Sequence, residues 1–326
     1  MRHQPGDVID GYRIGAMLGE GGFAESYDAE DSRDGHRVVL KVLKGNVVGD
    51  PRAARRFRQE LSITGALDHP GVQQSHDDGR NRTELYLVLD YVDGASLSAW
   101  LHGHPAGVPA ALAIAWGREL AETLAYLEDR RVVHGDLKPG NLLVGDDEHL
   151  TLLDFGAAGP EPHGWGARLP FGTEVGTAAY ASPERLQGRR GDRRSDLYSW
   201  GVVMYELLTG RPPFHGATPE ATMEAQLTDT PTPIHELRCD VPAPLEAVVL
   251  KSMRRSPTLR YQSAAELLDD LGRLESLDPA SFDLSPEPPL AVSALGGKTL
   301  LLVIGVTALG FLVVAGATIG ISIALH

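Results

Sequence analysis

The segment His134-Gly135-Asp136-Leu137-Lys138-Pro139-Gly140-Asn141 constrains this chain more than any other. It sets a carboxylate, an ammonium and an amide just ahead of an apolar strand, Leu142-Leu143-Val144. Twelve residues separate Asn141 from Asp154-Phe155-Gly156, which brings in a second carboxylate after the next apolar run. Gly176-Thr177-Ala178-Ala179-Tyr180-Ala181-Ser182-Pro183-Glu184 follows, and then Ser195-Asp196-Leu197-Tyr198-Ser199-Trp200-Gly201.

The first ninety residues add three signals, each open on its own. Leu18-Gly19-Glu20-Gly21-Gly22-Phe23-Ala24-Glu25-Ser26-Tyr27 follows Tyr12-Arg13-Ile14. Glycines there permit a plain turn or a close backbone approach to a polyphosphate. Val38-Val39-Leu40-Lys41-Val42 is an apolar strand with one lysine, which either points outward from an edge or is kept for chemistry. Glu60 lies in a helical run that begins at Pro51 and is crowded with arginines, so a surface ion pair is the plain reading.

Taken together, in this order and spacing, residues from about Tyr12 to Leu274 resemble the eukaryotic-type Ser/Thr protein kinases, particularly their bacterial members. Of 30 cationic residues only five are lysines, and two of those, Lys41 and Lys138, fall where the family uses lysine. The resemblance implies an α+β, two-lobed fold: a sheet-rich lobe over 1–92 and a helical lobe over 93–275. It also implies ATP and Mg²⁺ as substrate and cofactor, and protein Ser/Thr hydroxyls as acceptors.

Carried over residue by residue, Lys41 would contact the α- and β-phosphates and Glu60 would hold Lys41. Asp136 would accept the proton of, or orient, the attacking hydroxyl; Lys138 would neutralise the γ-phosphate; Thr177 would bridge Asp136 and Lys138. Asn141 and Asp154 would hold Mg²⁺, which prefers hard oxygen ligands. Leu18, Gly19, Gly21, Gly22, Phe23, Ser26 and Val39 would cover the nucleotide. Leu89 would gate the pocket, the backbone of Asp90 and Val92 would bond adenine, and Leu143 would pack beneath it. Glu184 would pair with Arg260, and Asp196 would brace the catalytic loop.

The sequence departs from the family in several places. Ala24 replaces the third loop glycine, a modest strain at worst. Ser26 and Val39 shrink and enlarge two positions over adenine, which predicts compensating repacking. Gly135 stands where most members have an arginine that meets a phosphorylated activation loop, which predicts weak dependence on phosphate at Thr173. The family's apolar stack falls here on Thr64, Ser75, Phe155 and His134, and the strand Val72-Gln73-Gln74-Ser75-His76 is hydrophilic. A polar stack predicts a loosely docked Glu60 helix, so that a partner or membrane crowding would favour the active arrangement. The alternative is a register shifted by one through that strand.

A catalytically weak or dead scaffold is the rival function, favoured by the polar stack and Ser26. Retention of Lys41, Glu60, Asp136, Asn141 and Asp154 favours an enzyme.

Outside the resemblance, Thr299 to Leu325 holds no charged residue and spans about 40 Å as a helix, enough to cross a bilayer. Lys298 precedes it, and the polar start has no leader-like stretch, which predicts a single span in the inner membrane with the folded part cytoplasmic. Gly316-Ala317-Thr318-Ile319-Gly320 offers a small-residue face for a homodimer. Residues 276–298, rich in Pro and acidic groups, read as an extended tether.

The formal net charge of −14 argues against a nucleic-acid partner. A single cysteine, Cys239, excludes an internal disulfide. Apart from His134 the histidines show no metal-ligand spacing. Arg189, Arg190, Arg193 and Arg194 read as a solvated basic loop. Val202 to Leu208 is apolar on nearly every side and predicts a central buried helix stopped by Gly210.

Overall fold

In the computed structural model, residues 3–45, 49–76, 82–161, 178–189 and 191–290 are described. Thr173, Thr177, Arg190 and the whole of 291–326, including the apolar run from Thr299, lie outside them. Among the described residues no helix is long and apolar enough to cross a membrane.

The small lobe is an antiparallel meander of β1 (Val8–Ile9), β2 (Tyr12–Glu20), β3 (Ala24–Asp31), β4 (Arg37–Leu43) and β5 (Tyr86–Asp90), in that spatial order. Alternation along β4 explains its two faces. Val38, Leu40 and Val42 pack on one side with Ile9, Tyr12, Ile14, Tyr27, Tyr86 and Val88. Val39 points to the other side, towards a cluster of Ala24, Leu43, Ala53, Phe57, Leu87 and Leu89. Ala53 and Phe57 belong to α1 (Pro51–Thr64), so the helix is seated on the sheet through this second face. Asp50 caps it, accepting from the Arg52 amide at 2.8 Å, with Pro51 at the first turn.

The large lobe opens with β6 (Ala95–Ser96), α2 (Leu97–His102) and α3 (Ala110–Asp129). β7 (Val132–Val133), β8 (Leu142–Val144), β9 (Leu150–Leu152) and β10 (Gly159–Pro160) bracket the loop 134–141 in two small sheets, β6–β8–β9 and β10–β7. The helices α4 (Pro183–Leu186), α5 (Arg193–Thr209), α6 (Pro219–Thr228), α7 (Ile234–Leu237), α8 (Ala243–Ser252) and α9 (Ala264–Gly272) complete it. As predicted, α5 is central: Leu197, Tyr198, Trp200, Val202, Val203, Met204, Tyr205, Leu207 and Leu208 are all buried. Gly210 ends it in the left-handed region (φ 74°), where a Cβ would stand 2.1 Å from the Pro105 carbonyl oxygen. No other residue fits that stop.

Two expectations change. The basic loop is not simply solvated: Arg193 donates to Glu161 at 3.0 Å and to the Gln262 carbonyl at 2.8 Å, and Arg194 pairs with Asp192 at 2.7 Å. Arg193 and Arg194 thereby fasten the start of α5, Arg189 is exposed, and Arg190 lies outside the described residues. Residues 276–290 hold a short 3-10 turn at Pro279–Ser281 and are otherwise irregular, and they lie against the large lobe. Glu287 accepts from the backbone of Arg255 (2.7 Å) and Ser256 (2.9 Å) and pairs with Arg254 at 3.1 Å. Leu290 donates its amide to the Leu227 carbonyl at 2.9 Å. One half-buried carboxylate, meeting the Arg254 guanidinium and two backbone amides, anchors a segment that has no helical or strand periodicity to announce it.

Candidate active site

The strand β4 carries Lys41 on the same face as Val39, between Ser26 of β3 and Leu87 of β5. From there its ammonium reaches both Glu60 of α1, which it contacts directly, and Asp154 Oδ1 at 2.7 Å. Burial alone would lower the lysine's pKa, but the adjacent Asp154 and Glu60 carboxylates outweigh it and hold the ammonium charged well above its ordinary range. Lys41 in turn keeps the Asp154 carboxyl far below the usual carboxylate range. Glu60 is shifted the other way: its burial, with the neighbouring Asp154 charge added, outweighs the pull of Lys41 and raises its carboxyl. Asp154 sits at φ 61°, an uncommon conformation for a residue other than glycine, and its side chain accepts from the Gly156 amide at 3.1 Å.

Across the cleft, Asp136 Oδ2 meets Lys138 Nζ at 2.9 Å and accepts from Asn141 Nδ2 at 3.0 Å. Asn141 Nδ2 also donates to the Asp136 carbonyl at 2.8 Å, and the Leu153 amide donates to the Asn141 carbonyl at 2.8 Å. That last bond ties the Asp136 loop to the strand that delivers Asp154. Asp196, buried at the start of α5, accepts from the amides of His134 (2.7 Å) and Gly135 (2.8 Å). Gly135 takes φ 76°, which suits a residue without a Cβ. The sequence thus brings Lys41, Glu60 and Asp154 into one cluster, and Asp136, Lys138 and Asn141 into a second beside it. Thr177 lies outside the described residues.

Of the residues expected around a nucleotide, Leu18 to Leu89 belong to or adjoin β2–β5, Asp90 and Val92 lie at and just after the end of β5, and Leu143 is in β8 of the large lobe. A Cβ at Gly19 or Gly22 would meet nothing within 4 Å, so packing within the protein does not require glycine there. Close approach by a ligand would. Leu18 and Phe23 are exposed, and Ser26, Val39, Asp90, Val92 and Leu143 are half-buried. Leu89 belongs to the buried cluster beneath α1.

The hydrophilic strand finds partners that its sequence does not disclose. Ser75 bridges Leu89, the His76 amide donates to the Val88 carbonyl at 2.9 Å, and the Asp90 amide donates to the Gln74 carbonyl at 3.0 Å. Buried Gln73 donates its Nε2 to the Asp90 carbonyl at 3.0 Å, and Gln74 Nε2 donates to the carbonyls of His69 and Val72. α1 also makes polar contacts to the segment after Asp154 that the expectation of a loose helix did not include. Gln59 Nε2 donates to the Ala158 carbonyl at 2.9 Å, and Phe155 is buried edge-on against His134 at 5.0 Å. Polar contacts from α1 to the backbone after Asp154 do part of what an apolar stack does elsewhere. Sequence reasoning missed Gln59 and Gln73 because their acceptors are backbone groups distant in the chain.

Arg185 was missed as well. Its guanidinium donates to the Gly135 carbonyl, so a cation from α4 stands beside the loop position that lacks an arginine. Thr64 is the residual flaw in the stack: its hydroxyl is buried, with no hydrogen-bond partner found among the described residues. Thr64→Val keeps the volume and removes the unpaired group. It is expected to raise the unfolding free energy by about 1 kcal/mol in urea titration, without loss of the docked helix. A fall would mean that the hydroxyl is satisfied.

Residues 12–271 match the protein kinase domain family. The chain is 34% identical over 301 residues to serine/threonine-protein kinase PknB of Mycobacterium tuberculosis, covering 91% of this chain and 47% of that protein. It is 35% identical over 274 residues to PknB of Mycolicibacterium smegmatis, covering 83% and 44%. It therefore spans less than half the length of either relative. The crystal structure of the Mycobacterium tuberculosis PknI kinase domain superposes with a TM-score of 0.64 at 26% identity, covering 84% of this chain and all of that one. A sheet lobe and a helical lobe meeting at the Lys41–Glu60–Asp154 cluster, together with these likenesses, make the chain a member of the protein kinase family, in its bacterial serine/threonine-type branch.

Proposed function

We propose that the chain is a serine/threonine protein kinase that transfers the γ-phosphate of ATP to protein hydroxyls. The observation that carries this is Lys41 bridging Glu60 and Asp154 beside the Asp136–Lys138–Asn141 cluster. Phosphoryl transfer asks mostly for positioning and charge neutralisation. Lys41, fixed by Glu60, holds the α- and β-phosphates of the substrate. Asp136 orients the acceptor hydroxyl and takes its proton, Lys138 offsets charge on the γ-phosphate, and Thr177 links the two. The glycine loop from Leu18 to Phe23, with Ser26, Val39, Leu89 and Leu143, encloses the adenosine, and the backbone of Asp90 and Val92 bonds its edge.

The donor set fits magnesium. Asp154 offers a carboxylate kept ionised, and Asn141, whose Nδ2 is spent on Asp136, retains an amide oxygen. When bound, Mg²⁺ neutralises phosphate charge that this chain's own cations leave uncovered.

The small lobe is read as 1–92, the large lobe as 93–275 and the connecting segment as 276–298. Thr299–Leu325 is read as a membrane helix that holds the kinase at the cytoplasmic face and pairs with a second copy through Gly316 and Gly320. The uncharged length of that run supports this reading. The docked α1 and the completed Lys41–Glu60 contact favour the enzyme over the scaffold.

Full-length protein incubated with γ-labelled ATP, Mg²⁺ and a general protein acceptor is expected to yield phosphoserine and phosphothreonine, and Asp154→Asn to yield neither. Equal labelling of the two proteins would overturn the proposal. Recovery of the full chain in the membrane fraction, and of a chain ending at residue 290 in the soluble one, tests the anchor.

A further inference from the structure

We propose that His36, His76 and Asp90, backed by Asp31, form a binding site for one divalent transition-metal ion of the zinc class. The site lies where β3, β4 and β5 end towards residues 91–94. The four residues are spread over three separate segments of the chain, which is why no ligand spacing shows in the sequence. A donor atom from each of His36, His76 and Asp90 lies within 4.8 Å of the others. Asp90 Oδ1 is shared: it is 3.0 Å from His76 Nδ1 and 3.5 Å from His36 Nε2. In a tetrahedral site with bonds of about 2.0–2.1 Å, neighbouring donors stand about 3.3–3.4 Å apart, so the two measured separations bracket the required edge.

Asp31 supplies what a bare cluster would lack. His76 turns its other nitrogen, Nε2, towards Asp31 Oδ2 at 3.6 Å. A carboxylate on the far side of a ligating imidazole fixes its tautomer and raises its basicity. Asp31 is buried and is itself held in place by Arg33, whose Nε donates to its carboxylate at 2.8 Å. Two imidazoles and a carboxylate suit zinc, cobalt or nickel, whereas magnesium takes oxygen ligands in an octahedron. His36 and Asp90 are exposed enough to give an ion a path in and to leave a fourth position for water.

One rearrangement is needed. The two rings are stacked, 4.7 Å apart and 5° from parallel, and ring lone pairs lie in the ring planes. His36, the more exposed ring, must turn towards Asp90. Its backbone stays placed, because its amide donates to Asp34 at 2.9 Å. A bound ion would then fasten the β3–β4 turn and the His76 strand to Asp90. The site stands whether or not the chain transfers phosphate.

Full-length protein stripped with a chelator and titrated with Co²⁺ tests this. The expected result is one equivalent with the intense visible bands of tetrahedral cobalt, displaced by Zn²⁺, and a Zn²⁺-dependent rise of a few degrees in the unfolding midpoint. His36→Ala and His76→Ala should each abolish the bands, Asp31→Asn should weaken binding about 10–100-fold, and His102→Ala/His104→Ala should leave it unchanged. Unfolding midpoints in chelator establish that the variants fold. Weak octahedral bands only, or full binding by the His36→Ala/His76→Ala double variant, would overturn the site.

Discussion

Asp136→Asn lowers the turnover of phosphate transfer by about 10²–10⁴-fold and leaves the KM for ATP within a few-fold of the parent value. The contacts explain the split. Asp136 touches Lys138 and Asn141 and makes none of the described contacts to Lys41, the glycine loop or the strand that ends at Asp90. The substitution therefore removes a proton acceptor, and its contacts reach only Lys138 and Asn141 at the γ-phosphate end, away from the groups that hold the α- and β-phosphates and the adenosine. The amide keeps the shape of the carboxylate, and the backbone of the loop stays tied to Asp196 through the amides of His134 and Gly135. Steady-state rates at varied ATP, with the unfolding midpoint as a control for folding, separate the outcomes. A raised KM at unchanged kcat would make Asp136 a nucleotide-binding residue. An unchanged rate would remove it from the chemistry.

The two lobes were legible because their signals are local. Alternating Val38, Leu40 and Val42 announce a strand, an apolar run stopped at Gly210 announces the central helix, and the polar loop before Leu142 announces the site. Lys41 and Glu60 were each ambiguous alone, since an interrupted strand and a basic helix have ordinary explanations; only their contact in space decides between readings. The rest was hidden for a common reason. Gln59, Gln73 and Gln74 are satisfied by backbone carbonyls, and carbonyls carry no residue identity for a sequence to display. Read as letters, a polar strand looks like a weakened core; in space its amides clasp the end of β5. Glu287 and the two arginines it meets are more than thirty positions apart, so the stretch around it looked unattached. His36 and His76 became neighbours only when antiparallel strands brought together positions forty residues apart.

Arg260→Ala is expected to cost about 3–5 kcal/mol of folding stability at pH 7. The guanidinium is fully buried and makes a two-pronged pair with Glu184, Nη1 to Oε1 at 2.9 Å and Nη2 to Oε2 at 2.7 Å. It also donates to the carbonyls of Arg254 (2.6 Å), Arg194 (3.0 Å) and Arg255 (2.9 Å), joining α4, the start of α5 and the loop before α9. Alanine leaves Glu184 buried with hydroxyls, such as Ser195 Oγ at 2.6 Å, in place of a cation, and leaves three carbonyls short of a donor. Glu184→Gln is expected to cost less, because Arg260 keeps those carbonyls. The pH dependence carries the sign. Burial would raise the Glu184 carboxyl, but Arg260 outweighs it and brings it to about 2, below its unfolded value of 4.5. Its stabilisation is therefore full above pH 4.5 and is lost as pH falls towards 2. Without Arg260 only hydroxyl hydrogen bonds oppose burial, the carboxyl rises, and protonation relieves the variant. Urea midpoints should consequently converge as pH drops from 7 to about 3. A gap between parent and variant that stays constant over that range would mean that the loss comes from packing and the carbonyls, with no contribution from the ion pair.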